Sequence, residues 1–242
     1  MLLAIDVGNT QIKLAVFEQN TLVNKKIIPY SDWKKEVENT LIFFSEIKNI
    51  AVASVGNLQK EDFLGFKTGV EVFYITHESK FPFQNLYTTP NTLGIDRMVV
   101  AAGAVLQFPN QNRLIIDAGT CVTYDFVDAN NNYIGGAISP GIRLRYESLH
   151  NYTAKLPLLK PERPDAVSGN STVQSIHSGV INGITFEIDG FISSILNKND
   201  NFIIILTGGD SEFLAERLKN TIFANPNFLL ESLNQTFQYN QQ

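Results

Sequence analysis

Apolar runs divide this chain into short strands and amphipathic helices. The first run, LLAIDV, is almost entirely apolar, and after a polar turn the apolar residues alternate with polar ones at Ile12, Leu14 and Val16. Period-two alternation after a glycine-centred turn is typical of an antiparallel hairpin with one packed face. The chain is therefore predicted to begin with a β-hairpin.

The same pattern returns in the second half of the chain. The segment LIIDAGT (114–120) repeats the apolar strand, the aspartate and the glycine turn, and Asp117 takes the place that Asp6 has in the first copy. Two copies half a chain apart indicate duplicated domains. We place these domains at residues 1–111 and 112–242.

Helical periodicity occupies the segments between the predicted strands. Trp33, Val37 and Leu41 form one apolar stripe, and the segment 93–106 is alanine-rich with a helical pattern. Strands mixed with helices, in a chain that begins with a hairpin, predict an α/β fold with mixed sheets flanked by helices.

A second long helix is predicted in the second half, where apolar residues recur at every fourth position from Ile176 to Ile192. Gly179, Gly183 and Gly190 interrupt this segment, and each glycine weakens a helix by about 1 kcal/mol. Their presence suggests that another backbone approaches this helix closely.

Composition and charge narrow the class of protein. The chain has 242 residues, 44% hydrophobic and 18% charged, as in folded soluble proteins. Its formal net charge of −5 argues against a general binder of nucleic acid or anionic membranes, which needs a basic face. A single cysteine, Cys121, excludes an intramolecular disulfide, and no apolar run reaches the roughly 20 residues that span a bilayer. We therefore expect a cytoplasmic protein that contacts neither nucleic acid nor membrane.

The turn from Asp6 to Thr10 is the first candidate for chemistry. The chain contains neither a P-loop nor a Rossmann fingerprint, so phosphate would be held by a turn whose backbone N–H groups converge. Gly8 permits a positive φ and Asn9 tolerates one. Asp6 would repel phosphate unless a cation such as magnesium lay between them. The alternative is an ordinary hairpin turn, but its repetition favours a ligand clamped between two turns.

The motif LGIDR opens the alanine-rich helix with Asp96 and Arg97. These residues either stabilise the start of a helix, or act on a substrate with Asp96 as general base and Arg97 as anchor for an oxygen or carboxylate. Spacing alone leaves both interpretations open. The turns GGAISPG and LTGGD and the three histidines favour structural roles when each is taken alone.

Together these stretches resemble one family, the type III pantothenate kinases of the acetate and sugar kinase, Hsp70 and actin superfamily. The motifs DVGNTQIK, GIDR, DAGT, GGAISPG, AKLP, GNST and TGGD follow the order of the family and span nearly the whole chain. The resemblance implies two duplicated ribonuclease H-like (actin-like ATPase) domains with the active site in the cleft between them. It further implies ATP-dependent phosphorylation of pantothenate to 4'-phosphopantothenate, the first step of coenzyme A biosynthesis, by a homodimer.

The resemblance also implies roles for individual residues. Asp96 is the implied catalytic base, and Asp117 is the implied ligand of a monovalent cation, potassium or ammonium, while magnesium accompanies ATP. Thr172 is an implied substrate contact that is contributed across the homodimer interface. The implied ATP-binding residues are Asp6, Val7, Gly8, Asn9, Thr10, Gln11, Ile12, Lys13 and Thr120. The implied pantothenate-binding residues are Tyr87, Gly94, Ile95, Asp96, Arg97 and Thr172.

Two other functions stay open. Some relatives of these kinases are named as accessory factors for toxin transcription, so a regulatory role without turnover is one of them, although the acidic charge disfavours direct DNA contact. The other is a different small-molecule kinase of the same superfamily, because a shared fold does not define a substrate. The motifs GIDR and GNST favour pantothenate.

Overall fold

The computed structural model of the chain describes residues 1–66, 69–196 and 201–242, and its elements mix strands with helices. The strands are β1 (Leu2–Val7), β2 (Ile12–Glu18), β3 (Thr21–Ile28), β4 (Asn49–Ser54), β5 (Glu71–Tyr74), β6 (Gln84–Asn85), β7 (Asn112–Ala118), β8 (Cys121–Val127), β9 (Asn132–Pro140), β10 (Phe202–Thr207) and β11 (Phe223–Ala224). The helices are α1 (Trp33–Phe43), α2 (Ile95–Gln107), α3 (Ile142–Asn151), α4 (Thr172–His177), α5 (Gly183–Ile195), α6 (Ser211–Ala215) and α7 (Phe228–Asn240). The predicted α/β class is confirmed.

Two mixed sheets repeat one order of strands. The first sheet runs β3-β2-β1-β4-β5, and the second runs β9-β8-β7-β10-β11 with the short strand β6 added beside β9. Strand β1 pairs antiparallel with β2 and parallel with β4, and β7 pairs parallel with β10. The duplication that the two aspartate-glycine turns indicated is therefore present in the topology of the sheets.

The chain divides into two compact units. The first unit comprises residues 1–110, 127–135 and 227–242, and the second comprises residues 111–126 and 136–226. Helix α7 thus returns from the end of the sequence to the first unit. The domain boundaries proposed from the repeat remain a prediction.

In the first unit, one face of the sheet packs against α1. Side chains alternate across a strand, so Leu3, Ile5 and Val7 of β1 point to the same face. They form a buried cluster with Val37 and Leu41 of α1, which confirms the apolar stripe predicted for this helix.

The opposite face of that sheet carries small residues and one carboxylate. Ala4 and Asp6 of β1 and Ala51 and Ala53 of β4 occupy this face, and all four are buried. Helix α7 contacts β1 and β4, and helix α2 contacts β4 and α7. Small side chains let helices approach a sheet closely, so the carboxylate of Asp6 lies on the face that α2 and α7 cover.

In the second unit, the core lies between the sheet and the helices that follow it. Leu114 and Ile116 of β7 and Ile204 and Leu206 of β10 belong to one buried cluster. The predicted stripe of the long helix joins the same cluster, and every one of its five members is buried: Ile176, Val180, Ile184, Ile188 and Ile192.

That long helix is not a regular α-helix throughout. Helix α4 continues into α5 through a π-helical segment, Ser178–Asn182. A spacing of four residues overshoots the 3.6-residue turn by roughly 40° per step, so a regular helix would rotate the stripe away from the core. The wider π turn offsets part of this rotation and keeps the stripe buried.

The three glycines of this helix do not make the backbone contact that the sequence suggested. A Cβ atom added to Gly179, Gly183 or Gly190 would meet no atom within 4 Å in the part of the chain that the structure describes. No backbone of the described chain approaches these glycines, and the close approach of another backbone stays a prediction.

None of the helices in the described ranges combines the length and apolar character that crossing a membrane requires.

The packing of α7 on α2 generates a prediction about stability. A Cβ atom on Gly103 of α2 would collide with the Ser232 side chain of α7 and lie 2.9 Å from the Ser232 Cα. We expect Gly103→Ala to lower the free energy of unfolding by about 1–3 kcal/mol, because the added methyl group overpacks a buried helix crossing. Urea unfolding at equilibrium measures the change.

A second variant tests the cause. Ser232→Gly removes the atoms that the new methyl group would meet, so the double variant Gly103→Ala/Ser232→Gly should recover part of the loss. The single variant Ser232→Ala should be neutral or stabilising, because the Ser232 hydroxyl is buried without a hydrogen-bond partner among the described residues. Equal losses in the Gly103→Ala and double variants would contradict this account of the helix crossing.

Candidate active site

The first turn motif places a buried ion pair at the end of the central strand. Asp6 is the last residue but one of β1, and its register partner on β2 is Lys13. The Lys13 ammonium lies 3.1 Å from the Asp6 carboxylate, which is almost completely buried. Removing a carboxylate from water is costly unless a positive charge faces it, so Lys13 makes this position of Asp6 possible.

The turn between β1 and β2 is closed by its own backbone. The Gly8 N–H donates to the Gln11 carbonyl at 3.2 Å, and the Tyr30 hydroxyl donates to the Gly8 carbonyl. Asn9, Thr10 and Gln11 are exposed at the tip of the turn. One N–H of the expected phosphate cradle is therefore already used within the turn.

The expected backbone conformation of this turn is not found. Neither Gly8 nor Asn9 has a positive φ. Glycine is required for space instead, because a Cβ on Gly8 would lie 3.3 Å from the Gln11 carbonyl oxygen. Gly56, which follows β4, is confined in the same way, since a Cβ there would collide with the Tyr30 hydroxyl and lie 3.3 Å from the Gly8 oxygen.

The GIDR motif folds a carboxylate back over the start of α2. Gly94 precedes the helix, and the Asp96 Oδ1 accepts a hydrogen bond from the Arg97 N–H at 2.8 Å. A side chain at position 94 would collide with this same oxygen. The glycine before the aspartate therefore leaves room for the Asp96 carboxylate.

Asp96 lies close enough to Asp6 for their charges to interact. Burial is the main cause that raises the pKa of the Asp96 carboxyl above its ordinary value, and the negative charge of Asp6 raises it further. The hydrogen bond from the Arg97 N–H and the Arg97 charge act in the opposite direction. The structure thus brings the DVGNT and GIDR motifs together within the first unit.

Arg97 and Tyr87 form a second part of this site. The Arg97 side chain is buried, and its guanidinium carbon lies 5.9 Å from the centre of the Tyr87 ring, within the range of a cation–π contact. The Tyr87 ring in turn lies 6.1 Å from the ring of Tyr133. The predicted substrate residues of the first unit are therefore neighbours in the structure: Tyr87, Gly94, Ile95, Asp96 and Arg97.

In the second unit, three glycine-containing motifs meet at the DAGT turn. Asp117 is the last residue but one of β7, and both Asp117 and Thr120 are half-buried. The Gly141 N–H donates to the Thr120 carbonyl at 3.1 Å, and the Asp210 N–H donates to the Ala118 carbonyl at 3.0 Å. Residues of the motifs GGAISPG and TGGD are therefore hydrogen-bonded to the DAGT turn, although each motif taken alone favoured a structural role.

The glycines of these motifs are required by close approach. A side chain at Gly141 would collide with the Gly119 and Thr120 carbonyl oxygens. Gly208 has a φ of +95°, and a side chain there would collide with the Ala118 carbonyl and the Asp117 carboxylate. The backbone of Gly208 therefore lies directly beside the Asp117 carboxylate.

Thr172 lies in the second unit, at the start of α4 and outside the DAGT turn. The GNST motif caps this helix, because the Ser171 hydroxyl accepts a hydrogen bond from the Gln174 N–H. Thr172 is exposed and lines a groove of about 630 Å³ together with Arg145, Ser148, Ser175 and Leu149.

Several residues of these sites were not found from the sequence. Tyr30 orients the first turn, and the pKa of its hydroxyl is raised by burial and by the Asp6 charge. Gly56, Gly141 and Gly208 shape the two turns. Each of these glycines follows a strand, which is the one signal the sequence offers, but ordinary loops carry the same signal.

Solved structures show which fold this chain has. A protein from Campylobacter jejuni, described as a Baf family transcriptional activator, is similar over 99% of this chain and 98% of its own, with a TM-score of 0.65 and 20% identity. The activator of the 2-hydroxyisocaproyl-CoA dehydratase from Clostridium difficile, solved with bound ADPNP, covers 99% of this chain and 95% of its own, with a TM-score of 0.57 and 12% identity. These similarities concern the fold alone, which is that of the actin-like ATPases and sugar kinases.

Sequence comparison then defines the family. The family model for type III pantothenate kinase matches residues 2–194. A type III pantothenate kinase from Flavobacterium psychrophilum is 63% identical over 239 residues, covering 99% of each chain, and one from Christiangramia forsetii is 45% identical over 241 residues, covering 100% of this chain and 99% of its own. The chain belongs to the type III pantothenate kinase family, and the resemblance carried by its motifs is confirmed.

The environment of Asp96 generates a prediction that separates activity from stability. A general base typically contributes about 10²–10⁴-fold to a rate, so Asp96→Asn should lower kcat of the family's kinase reaction by that order. The same variant should be at least as stable as the parent at pH 7, because it removes a half-buried, desolvated charge that Asp6 repels. Steady-state kinetics and urea unfolding measure the two effects.

The pH dependence provides the control. A raised pKa means that the folded state binds the Asp96 proton more tightly than the unfolded state, so the cost of the carboxylate is present at neutral pH and decreases as the pH falls. The stability advantage of the asparagine variant should therefore narrow as the pH falls through the raised pKa of Asp96. If the stability difference between the asparagine variant and the parent did not change with pH, the raised pKa of Asp96 would be contradicted. If the variant kept the parental kcat, Asp96 would not be the general base.

Proposed function

We propose that this chain is an ATP-dependent pantothenate kinase that converts pantothenate to 4'-phosphopantothenate, the first step of coenzyme A biosynthesis. The single observation that carries the proposal is the placement of Asp96 at the start of α2, with its pKa raised and the Asp6–Lys13 ion pair nearby. Membership of the type III pantothenate kinase family supplies the substrate.

Asp96 is the residue that takes the proton. A bond forms between the primary hydroxyl oxygen of pantothenate and the γ-phosphorus, the bond from that phosphorus to the β–γ bridging oxygen breaks, and the hydroxyl proton passes to the Asp96 carboxylate. A carboxylate whose pKa is raised above its ordinary value is a stronger base than an ordinary one. Desolvation by the surrounding residues is thus the physical origin of its basicity.

The phosphates of ATP are assigned to the turn that follows β1. Lys13 supplies a positive charge at the base of the turn, and the exposed tip offers the Asn9 and Thr10 groups. In phosphoryl transfer the protein acts mainly by positioning and charge neutralisation, and these are the contributions such a turn makes. The nucleotide-binding set consists of Asp6, Val7, Gly8, Asn9, Thr10, Gln11, Ile12, Lys13 and Thr120.

Pantothenate is assigned to the residues around the start of α2. The buried Arg97 guanidinium is a donor suited to an oxygen or carboxylate of the substrate, and Tyr87 holds it from one side. Gly94 and Ile95 provide backbone at the same place. The hydroxyl to be phosphorylated would then lie beside Asp96.

Two cations complete the proposal. Asp6 fits a role toward magnesium, because two interacting carboxylates at one site, Asp6 and Asp96, favour a cation near them. When bound with ATP, magnesium neutralises phosphate charge. Asp117 is the proposed ligand of a monovalent cation, potassium or ammonium, and the Ala118 carbonyl oxygen, which approaches Gly208 as the Asp117 carboxylate does, fits an ion held by oxygen atoms.

A homodimer with Thr172 contributed to the partner's site is the proposed assembly. The second unit exposes large apolar side chains that a partner would cover, among them Tyr152 at 89%, Val167 at 70% and Leu158 at 56% of full exposure. The open positions at the three glycines of the long helix leave room for another backbone. The groove that Thr172 lines lies in the same unit.

The competing function is a regulatory protein without turnover. The similarity to the Campylobacter jejuni protein is the observation that favours a regulatory function, but that similarity concerns the fold alone. A protein without turnover has no need for a desolvated carboxylate at Asp96 that costs stability. We also propose a cytoplasmic location, since ATP is supplied there, and no contact with nucleic acid, given the net charge of −5.

Substrate selectivity tests the proposal. Purified protein should transfer phosphate from ATP to pantothenate in the presence of potassium, and should leave acetate and a panel of sugars unphosphorylated. A coupled ADP assay with mass detection of the product measures both. Phosphorylation of a sugar or acetate instead would make the chain another kinase of the superfamily, and no turnover of any acceptor would favour the regulatory function.

The placement of Thr172 across a dimer interface gives a second prediction. In a purified heterodimer of one Asp96→Asn chain and one Thr172→Ala chain, one of the two sites would contain both intact residues. Such a heterodimer should regain about half of the parental activity, while each variant homodimer stays impaired. Differently tagged chains allow the heterodimer to be isolated.

The matched control places both substitutions in one chain and pairs it with an unsubstituted chain. Contribution across the interface predicts that this heterodimer is impaired, because neither site then has both residues. If Thr172 instead served the site of its own chain, the heterodimer with both substitutions in one chain would be the active one, and the heterodimer with one substitution in each chain would be impaired. That result would contradict the proposed assembly.

A further inference from the structure

Asp117 and Thr207 are neighbours on two parallel strands of the second sheet. They are register partners on β7 and β10, so their Cα atoms lie about 5 Å apart. The residues that precede them, Ile116 of β7 and Leu206 of β10, belong to the helix-covered core, and side chains alternate along a strand. The Asp117 and Thr207 side chains therefore share the opposite face of the sheet.

The Thr207 hydroxyl lacks the partner that a buried polar group normally has. Thr207 is completely buried, and its Oγ1 makes no hydrogen bond with any residue that the structure describes. An unsatisfied buried hydroxyl costs about 1–3 kcal/mol, so such a group calls for a specific explanation.

The Asp117 carboxylate leans toward the strand that carries Thr207. A Cβ atom on Gly208, the residue directly after Thr207, would collide with the Asp117 Oδ1. The carboxylate and the hydroxyl therefore lie at the same end of the β7–β10 pair, beside the Ala118 carbonyl that also approaches Gly208.

The duplicated first sheet has a different residue beside its aspartate. There, the carboxylate of Asp6 faces the Lys13 ammonium, and its parallel register partner on β4 is Ala53. In the second sheet the parallel register partner of Asp117 is Thr207, which therefore takes the place of Ala53. The second copy has thus exchanged a methyl group for a hydroxyl.

We propose that Thr207 is a ligand, through Oγ1, of the monovalent cation that Asp117 binds. This inference rests on the proposed function, which assigns the cation to Asp117. Alkali cations are held by oxygen atoms of carboxylates, hydroxyls and carbonyls. The hydroxyl can turn a lone pair to the ion because none of its hydrogen-bonding capacity is used by the described chain.

The competing account is a buried water molecule or a purely structural hydroxyl. Both accounts make the effect of Thr207 independent of potassium. The ligand account makes it depend on potassium, so measurements with and without the ion distinguish them.

The experiment compares thermal unfolding of the full-length protein in potassium chloride and in choline chloride of equal ionic strength. The variants are Thr207→Val, which removes the hydroxyl at nearly constant volume, and Thr207→Ser, which keeps it. The matched control is Thr185→Val in α5, which removes another buried hydroxyl, one that donates to the Ile181 carbonyl at 2.8 Å. Asp117→Asn serves as the variant that loses the cation.

A ligand that binds only the folded protein raises its melting temperature in a concentration-dependent manner. We expect potassium to raise the melting temperature of the parent, Thr207→Ser and Thr185→Val, with a similar potassium concentration at half of the full effect. For Thr207→Val this concentration should be at least about tenfold higher. In choline chloride, Thr207→Val should be as stable as the parent or more so, because it loses an unsatisfied hydroxyl.

Three results would overturn the inference. They are an unchanged potassium half-saturation for Thr207→Val, a loss of stability in that variant that is equal in both salts, and an absence of potassium-specific stabilisation in the parent. The last result would also contradict the assignment of a monovalent cation to Asp117. The proposed kinase activity is tested separately, by the phosphorylation of pantothenate, so the two proposals can be rejected independently.

Discussion

The candidate active site depends on a carboxylate that is kept out of water at the end of a central strand. Asp6 is almost fully buried, and the Lys13 ammonium on the neighbouring strand compensates its charge directly. Burial is the main cause that raises the pKa of Asp96 and of Tyr30, and the negative charge of Asp6 raises both further. The position of Asp6 follows from strand alternation, which points it to the face that α2 covers.

The duplicated sheets use one topology for different purposes. Both place an aspartate as the last residue but one of the central strand. In the first copy a lysine balances that charge, and the helix that covers the same face begins with a second carboxylate. In the second copy the backbone of Gly208 approaches the aspartate, and a buried hydroxyl lies at the same end of the strand pair. Divergence after duplication therefore concerns the surroundings of the aspartate more than the fold.

Helix α7 has a structural role that no motif in its sequence indicates. It belongs to the first unit, packs on α2 and closes a crossing where Gly103 leaves room for Ser232. Because α2 carries Asp96 and Arg97 at its start, the end of the chain supports the helix that presents the proposed catalytic base. Packing against a distant helix leaves no local pattern, so this support could not be predicted.

The α/β class, the duplication and the family could all be predicted from the amino-acid sequence, because strand alternation, helical stripes and motif order are local properties. The stripe from Ile176 to Ile192 was predictable for the same reason, although the π-helical segment that keeps it buried was not. Three features became apparent only in the folded chain: the interaction of Asp6 with Asp96, the approach of Gly208 to Asp117, and the burial of Thr207 without a partner among the described residues. These features depend on which strands become neighbours, and contacts between residues far apart in the chain are not encoded in any single local pattern.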